Sequence, residues 1–253
     1  MVKNKLPVIA TIDIESHPAK VLMYGNTWEP VIVKIIEFET ILSASIKIGD
    51  KKTIYIGLNT IKGYKKGDRD DKKLLIEISK ILSDPSIDFF CGQNFDDFDI
   101  KKINERIMFH KLPPLPDVPT LDTKKLHSRV SKLPNNKLNT QSQFHGNGKK
   151  TAGAGPELFI ACGEGDPKAW KLNEIYNKND VEMTYKNLLD VLPYAKLPNT
   201  YSRINADINC SNVLCLSTHL TKSKRRRVTN GWKQQWQCGD CGKYTTDSKI
   251  IKE

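Results

Sequence analysis

The chain has 253 residues, 38% of them hydrophobic, enough for one α/β core of ordinary size with a small appendage; this excludes disorder along its whole length. No apolar run reaches the roughly 18 residues of a membrane span, and residues 1–6, polar and basic, carry no signal-peptide pattern, so the expected compartment is the cytoplasm, that of the host if the chain is viral. Lysine and arginine outnumber aspartate and glutamate by 40 to 29, a net charge of +11 that favours a polyanionic partner, nucleic acid being the commonest.

In chain order, residues 7–15 (PVIATIDIE) alternate and are β-rich, which predicts a strand. Residues 21–25, 31–39, 41–48 and 52–58 continue the series, with a turn at Gly49 and Asp50. Five strands followed by helices predict a mixed sheet. Asp70 or Asp71 can cap a helix running to Leu82, whose Leu74, Leu75, Ile78, Ile81 and Leu82 share a face. Residues 87–91 read as a short buried strand and 97–110 as a helix, and the prolines of 113–119 enforce a loop. Residues 121–130 and 137–144 read as short helices, and 146–155 as a glycine-rich loop. Asp166 and Pro167 then start a long helix, cap followed by first turn, that ends near Val191. Residues 197–209 read as a linker to a cysteine module.

Three constellations can carry chemistry. Asp13 and Glu15 lie two apart on the first strand, so they leave one face of it. They are either two solvated acids or a pair that holds a cation between them. Asn94 and Asp99, in QNFDDFDI, stand where a strand gives way to a helix, the position at which α/β sheets place ligand-binding groups. Helix capping by one of Asp96, Asp97 and Asp99 is the plainer reading there. Tyr176 and Asp180 are four apart on the late helix and share a face, as any amphipathic surface pair would.

The order of these motifs resembles the three exonuclease motifs of the DEDD superfamily: Asp-x-Glu, Asn-x4-Asp, Tyr-x3-Asp. The tyrosine spacing is similar to its DEDDy branch, which includes the proofreading domains of B-family DNA polymerases. DIESHP, QNFDDFDIKKIN, LDTKKL, NNKL, GNGKK, GDPKAW and YNKNDVEMT resemble a group of stand-alone, often phage-encoded ribonuclease-H-like exonucleases, with Gln93 where histidine is usual. The resemblance spans nearly the whole chain. It implies a ribonuclease-H-like α/β fold in which Asp13, Glu15, Asp99 and Asp180 hold two Mg²⁺ or Mn²⁺ and Tyr176 orients the attacking water. Hard cations of this kind suit carboxylate oxygens. It further implies 3′–5′ hydrolysis of DNA, single-stranded 3′ ends above all, with RNA as a second substrate, contacts from Asn94, and replication or repair proteins as partners. Asp122, in LDT, is expected to be structural, and His17 and His145 receive no role.

Cys91 and Cys162 stand alone and are expected to be buried hydrophobes. Cys238-x2-Cys241 has zinc-knuckle spacing, with Cys210 and Cys215 as partners and His219 in reserve. The family's ribbon opens with Cys-x2-Cys, whereas Cys210 lies five positions before Cys215. Residues 200–253 hold ten basic and four acidic residues. Among them Lys222, Lys224, Arg225, Arg226 and Arg227 are expected to meet nucleic-acid phosphates, while Trp232 and Trp236 pack the small module. The expected organisation is a ribonuclease-H-like exonuclease domain over residues 1–196 and a linker with one structural zinc ribbon over 197–253. The alternatives are a nucleic-acid-binding protein with a degenerate site and an RNase-H-type endonuclease targeted by its ribbon.

Overall fold

The structure is a computed structural model that describes residues 7–25, 30–195, 209–212, 214–215, 217–247 and 249–252. Its elements in chain order are β1 (Ile9–His17), β2 (Lys20–Tyr24), β3 (Val31–Glu37), β4 (Thr40–Ile48), β5 (Ile54–Gly57), α1 (Lys72–Leu82), β6 (Phe89–Gly92), α2 (Asp99–Phe109), β7 (Thr120–Asp122), α3 (Thr123–Val130), α4 (Leu138–His145), α5 (Pro156–Gly163), α6 (Pro167–Val191), β8 (Leu220–Val228), β9 (Gly231–Cys238) and β10 (Tyr244–Thr246). The expected linker lies outside the described residues, apart from Asn209.

A mixed sheet in the order β5-β4-β1-β6-β7 forms the centre and is flanked by helices. β1 pairs antiparallel with β4 and parallel with β6, and β6 pairs parallel with β7. Because side chains alternate across a strand, β1 serves two layers. Ala10, Ile12 and Ile14 join a buried cluster with Leu74, Ile78 and Leu82 of α1 and Ile103 and Ile107 of α2. Ile9 joins a second cluster with Cys91, Leu121, and Leu188 and Val191 of α6. Cys91 and Cys162 are buried as expected. Among the described residues no helix is long and apolar enough to cross a membrane.

Several elements depart from the sequence-based expectation. β2 and β3 do not extend the main sheet; they pair with each other as a separate hairpin on which Leu22, Met23, Val31, Ile32, Val33 and Ile36 remain exposed. Residues 120–122, expected to lie in or beside a helix, form β7, too short to display a period of two. α5 was hidden behind the glycine-rich loop, its start signals being Pro156 and Glu157 in the first helical turn. No aspartate caps α2: Phe98 occupies the cap position and Asp99 is the first helical residue. Asp71 sits at the cap of α1, but its carboxylate is used elsewhere.

The C-terminal sheet, β10-β9-β8, docks on the end of α6. Lys243 Nζ donates to Leu192 O at 2.9 Å and also to Ala195 O, and Leu214 packs against the second cluster.

Candidate active site

β6 ceases to pair with β1 at Thr11, so Asp13 and Glu15 project beyond its carboxyl end. There the chain turns tightly. A side chain on Gly92 would come within 2.6 Å of the Phe95 ring and 2.9 Å of Ile12 O, and Asn94 adopts φ 62°, a left-handed conformation that asparagine tolerates. The turn sets Asp99 against β1, where its Oδ1 accepts from Ile14 N at 3.1 Å. From α6, Asn177 Nδ2 donates to Asp13 Oδ2 at 2.5 Å and to Asp13 O at 3.2 Å. Tyr176 and Asp180 flank it. Asp13, Glu15, Asn94, Asp99, Tyr176 and Asp180 thus line one cavity of about 620 Å³.

Glu15, Asp99 and Asp180 are buried and Asp13 half-buried, which leaves four acids facing one another away from bulk water. Burial first, then repulsion from Glu15, Asp99 and Asp180, holds the Asp13 carboxyl well above the usual range. Burial and Asp180 raise Glu15 to about 8. Burial raises Asp99 to about 7 against the stabilising bond from Ile14 N–H. Asp180 is raised by burial and partly restored by Lys150. Its Oδ1 is buried without a hydrogen-bond partner. Crowded, desolvated carboxylates with an orphaned oxygen form a donor set that fits hard divalent cations.

Lys150, which sequence reasoning left unassigned within GNGKK, lines the same cavity. Its Nζ lies 2.7 Å from Asp180 Oδ2 and donates to Tyr176 Oη at 2.8 Å. Burial works against its charge, but Asp180 and Tyr176 outweigh it and raise its pKa. Burial and Asp180 keep the Tyr176 hydroxyl protonated far above neutral pH. Gln93, where the resembled family has histidine, donates through Nε2 to Asn136 O at 2.8 Å and so holds the 135–139 rim of the cavity. Asp122 acts as a brace: its carboxylate caps α3 by accepting from Lys124 N and Lys125 N, and it also accepts from Asn94 N and Asp96 N. Lys124 Nζ donates to Asn94 Oδ1 at 2.8 Å. Asp96 and Asp97 face away, both paired with Lys125.

The four cysteines converge. Cys210 and Cys241 have Sγ atoms 3.5 Å apart, Cys215 and Cys238 3.7 Å apart, and all four lie within 4.8 Å of one another. A tetrahedral ion with metal–sulfur bonds of about 2.3 Å has edges of about 3.8 Å, close to these separations. Disulfides would need sulfurs about 2.05 Å apart. Burial raises the Cys238 thiol, but backbone N–H bonds from Cys241 and Asp240 outweigh it and bring it down to about 7. Gly242, at φ 72°, closes the knuckle with its N–H on Cys238 O. His219 is not needed as a reserve ligand: it is exposed and pairs with Asp240. The longer first spacing, Cys210 to Cys215, therefore still brings both sulfurs to the cluster. On β8, Lys222, Lys224, Arg225, Arg226 and Arg227 are exposed. Trp232 and Trp236 are half-buried on β9, and Gln234 between them is buried with Nε2 donating to Ser223 O.

A third grouping, Asp70, Asp71 and His110, also has ligand atoms within 4.8 Å. Asp71 Oδ2 accepts from Arg106 Nε and Ile41 N at 2.8 Å each; its Oδ1 accepts from Arg106 Nη2 at 2.9 Å and lies 2.6 Å from His110 Nε2. A guanidinium already neutralises this carboxylate, so the grouping reads as a buried ion pair tying α1 to α2 and β4.

No family model matches the chain, and no curated protein does. Among solved structures it is similar to the family B DNA polymerase from the hyperthermophilic archaeon Pyrobaculum calidifontis, with 15% identity and a TM-score of 0.57 over 75% of this chain. The match covers 25% of the polymerase chain, so the likeness concerns a quarter of that protein and extends to fold.

Proposed function

We propose that this chain is a metal-dependent 3′–5′ exonuclease of ribonuclease-H-like fold and DEDDy type, acting on DNA ends and also on RNA. The observation that carries the proposal is the meeting of Asp13, Glu15, Asp99 and Asp180 with Tyr176 in one cavity. Four desolvated acids cannot all ionise beside one another without a cation. The fold likeness to part of a family B DNA polymerase supports the same reading, because the proofreading domains of that group carry the motifs this sequence resembles.

In this reading the four carboxylates hold two Mg²⁺ or Mn²⁺, which when bound supply an activated water and stabilise the leaving oxygen of a phosphodiester. The Tyr176 hydroxyl, protonated at neutral pH, orients the attacking water by hydrogen bonding rather than by removing its proton. Lys150 neutralises Asp180 before the cations arrive and can then turn to a substrate phosphate. Asn94 and Lys124, bonded to each other at the rim, meet the strand. Residues 1–196 form the catalytic domain. Residues 197–253 comprise a linker and a zinc ribbon that adds phosphate contacts from Lys224, Arg225, Arg226 and Arg227. The intact set of four acids disfavours a degenerate, binding-only site.

The test is single-turnover hydrolysis of a labelled oligonucleotide with Mg²⁺ by Asp13→Asn, Glu15→Gln, Asp99→Asn and Asp180→Asn. Each isosteric change should remove nearly all activity and leave the circular dichroism spectrum unaltered. A folded Asp99→Asn protein with wild-type rate would remove that residue from the site and, with it, the reading of the cavity.

A further inference from the structure

A second cavity, of about 400 Å³, opens on another face of α6. Its walls include Asn59, Tyr64, Lys66, Trp170, Lys171 and Glu174. Trp170 and Glu174 are one helical turn apart. Trp170 and Asp180 are ten residues apart, about 15 Å at the α-helical rise. The two cavities have no lining residue in common, so they are separate.

Two polar groups here lack partners. Trp170 is 5% exposed, and its indole N–H is buried without a hydrogen bond. The Tyr64 hydroxyl is likewise buried and unbonded. The rings meet edge to face with centroids 6.1 Å apart, and the indole N–H lies near enough to the hydroxyl to offset part of the rise that burial causes in its pKa. The indole N–H faces the hydroxyl oxygen. Whatever the indole N–H gives to the hydroxyl oxygen, the hydroxyl proton is left without an acceptor, and a buried donor without one is destabilising.

The indole is fixed from behind. A side chain on Gly57 would come within 3.1 Å of its Cζ3, on the six-membered ring, which leaves the opposite, pyrrole edge turned away from β5. Lys66 is fixed as well: its stem crosses Gly165, where a Cβ would come within 2.9 Å of Lys66 Cγ, and Gly165 at φ 80° has none. The loop bearing Lys66 is anchored by Gly67 N–H on Gly163 O at 3.0 Å. Lys66 and Lys171 thus bring two ammonium groups to a cavity walled by two aromatic rings. The single carboxylate, Glu174, is partly neutralised by Lys178.

Aromatic walls, two ammonium groups and an O–H donor without an acceptor match the chemistry of a nucleoside phosphate. The volume lies within the range of small-molecule sites. We infer that this cavity is a nucleotide-binding site: Lys66 and Lys171 take the phosphate, the Tyr64 O–H, backed by the Trp170 indole, donates to an acceptor of the nucleotide, and Glu174 is available to a sugar hydroxyl. The nucleotide is either free or one unit of a strand running past α6. None of the four carboxylates takes part, so the inference stands whether or not the protein hydrolyses nucleic acid.

The experiment uses full-length ¹⁵N-labelled protein with its zinc retained and no Mg²⁺ added. The Trp170 indole N–H resonance is identified by its loss in Trp170→Phe. Inorganic phosphate, a deoxynucleoside 5′-monophosphate and a single-stranded oligonucleotide are titrated separately. A saturable shift with the mononucleotide, weakened at least 10-fold in Lys66→Ala/Lys171→Ala, supports the site and names a free nucleotide as its ligand. The same shift with the oligonucleotide alone supports it and names a strand. An unmoved Trp170 resonance in all three arms overturns the inference, as does equal affinity for inorganic phosphate and nucleotide, which would mark a plain anion site. The two lysines are exposed and their removal does not threaten the fold. Should Trp170→Phe not fold, calorimetric binding of the same ligands to wild type and the lysine double variant decides instead: equal affinity in both overturns the inference, and a 10-fold loss supports it.

Discussion

Removing the metal from the cysteine cluster should unfold the C-terminal module and leave the rest of the chain standing. Among the described residues from 209 onward, the buried side chains are Asn209, Cys210, Asn212, Gln234, Cys238, Lys243 and Thr245. None is a leucine, isoleucine, valine or aromatic, each of which would contribute ~1.5–3 kcal/mol when buried. Zinc bound by the cysteine cluster, at the ~10–16 kcal/mol of finger peptides, would then be the largest stabilising term of the module. The main body loses little. Its contact with the module runs through Leu214 and the two hydrogen bonds from Lys243 to the end of α6. Charge-assisted bonds of this kind contribute ~1.5–3 kcal/mol each when fully formed. Two such bonds amount to ~3–6 kcal/mol, so at about 2–4 °C per kcal/mol for a chain of this size the principal melting transition should fall by at most roughly 6–24 °C and stay cooperative. The assay combines zinc quantification, limited proteolysis before and after chelation, and calorimetry, with Cys241→Ser as the genetic counterpart. Cleavage confined to residues 209–252, with a resistant body, is the expected result. A module that stays protease-resistant with four free thiols and no metal would refute the reasoning.

Three further outcomes are expected. Tyr176→Phe should slow single-turnover hydrolysis by about 10²-fold, the scale of a lost positioning contact, with unchanged Mn²⁺ affinity by calorimetry; an unchanged rate would place its hydroxyl outside the chemistry. Lys150→Met should lower the Mg²⁺ concentration needed for half-maximal rate, because its ammonium, 2.7 Å from Asp180, competes with cations for that carboxylate; an unchanged or higher midpoint would contradict competition. Replacing Lys224, Arg225, Arg226 and Arg227 by glutamine should make the log–log salt dependence of single-strand binding shallower by roughly 2–3, if three or four of them meet phosphates at about 0.7 each; identical slopes would make the ribbon a protein-docking module instead.

The parts of the site that lie on long regular elements were legible in the sequence. Asp13 and Glu15 follow from the period of two on β1, and Tyr176 and Asp180 from the helical period on α6, whose cap and first turn Asp166 and Pro167 announce. Asp99 was legible through its motif rather than through local structure, since the expected aspartate cap of α2 is absent. What escaped depends on distant pairing. β7 is three residues long and exists because β6 lies beside it. The β2–β3 hairpin carries the same apolar alternation as core strands, and nothing in its composition reveals that it pairs only with itself. Lys150 sits in a loop, and its partners Tyr176 and Asp180 lie 26 and 30 residues further along the chain, so only the fold brings them to it. Asp122 looked like a lone structural acid, and its part in holding the Asn94 turn became visible once β6 and β7 were adjacent.

The most direct test of the central claim compares a linear single-stranded oligonucleotide, labelled at its 5′ end, with a covalently closed circle of the same sequence, in the presence of Mg²⁺. The account predicts a ladder of products shortened one nucleotide at a time from the 3′ end, release of mononucleotides, an intact circle, and no reaction for Asp13→Asn/Asp180→Asn. Cleavage of the circle, or an inert linear strand with all four carboxylates intact, would contradict it.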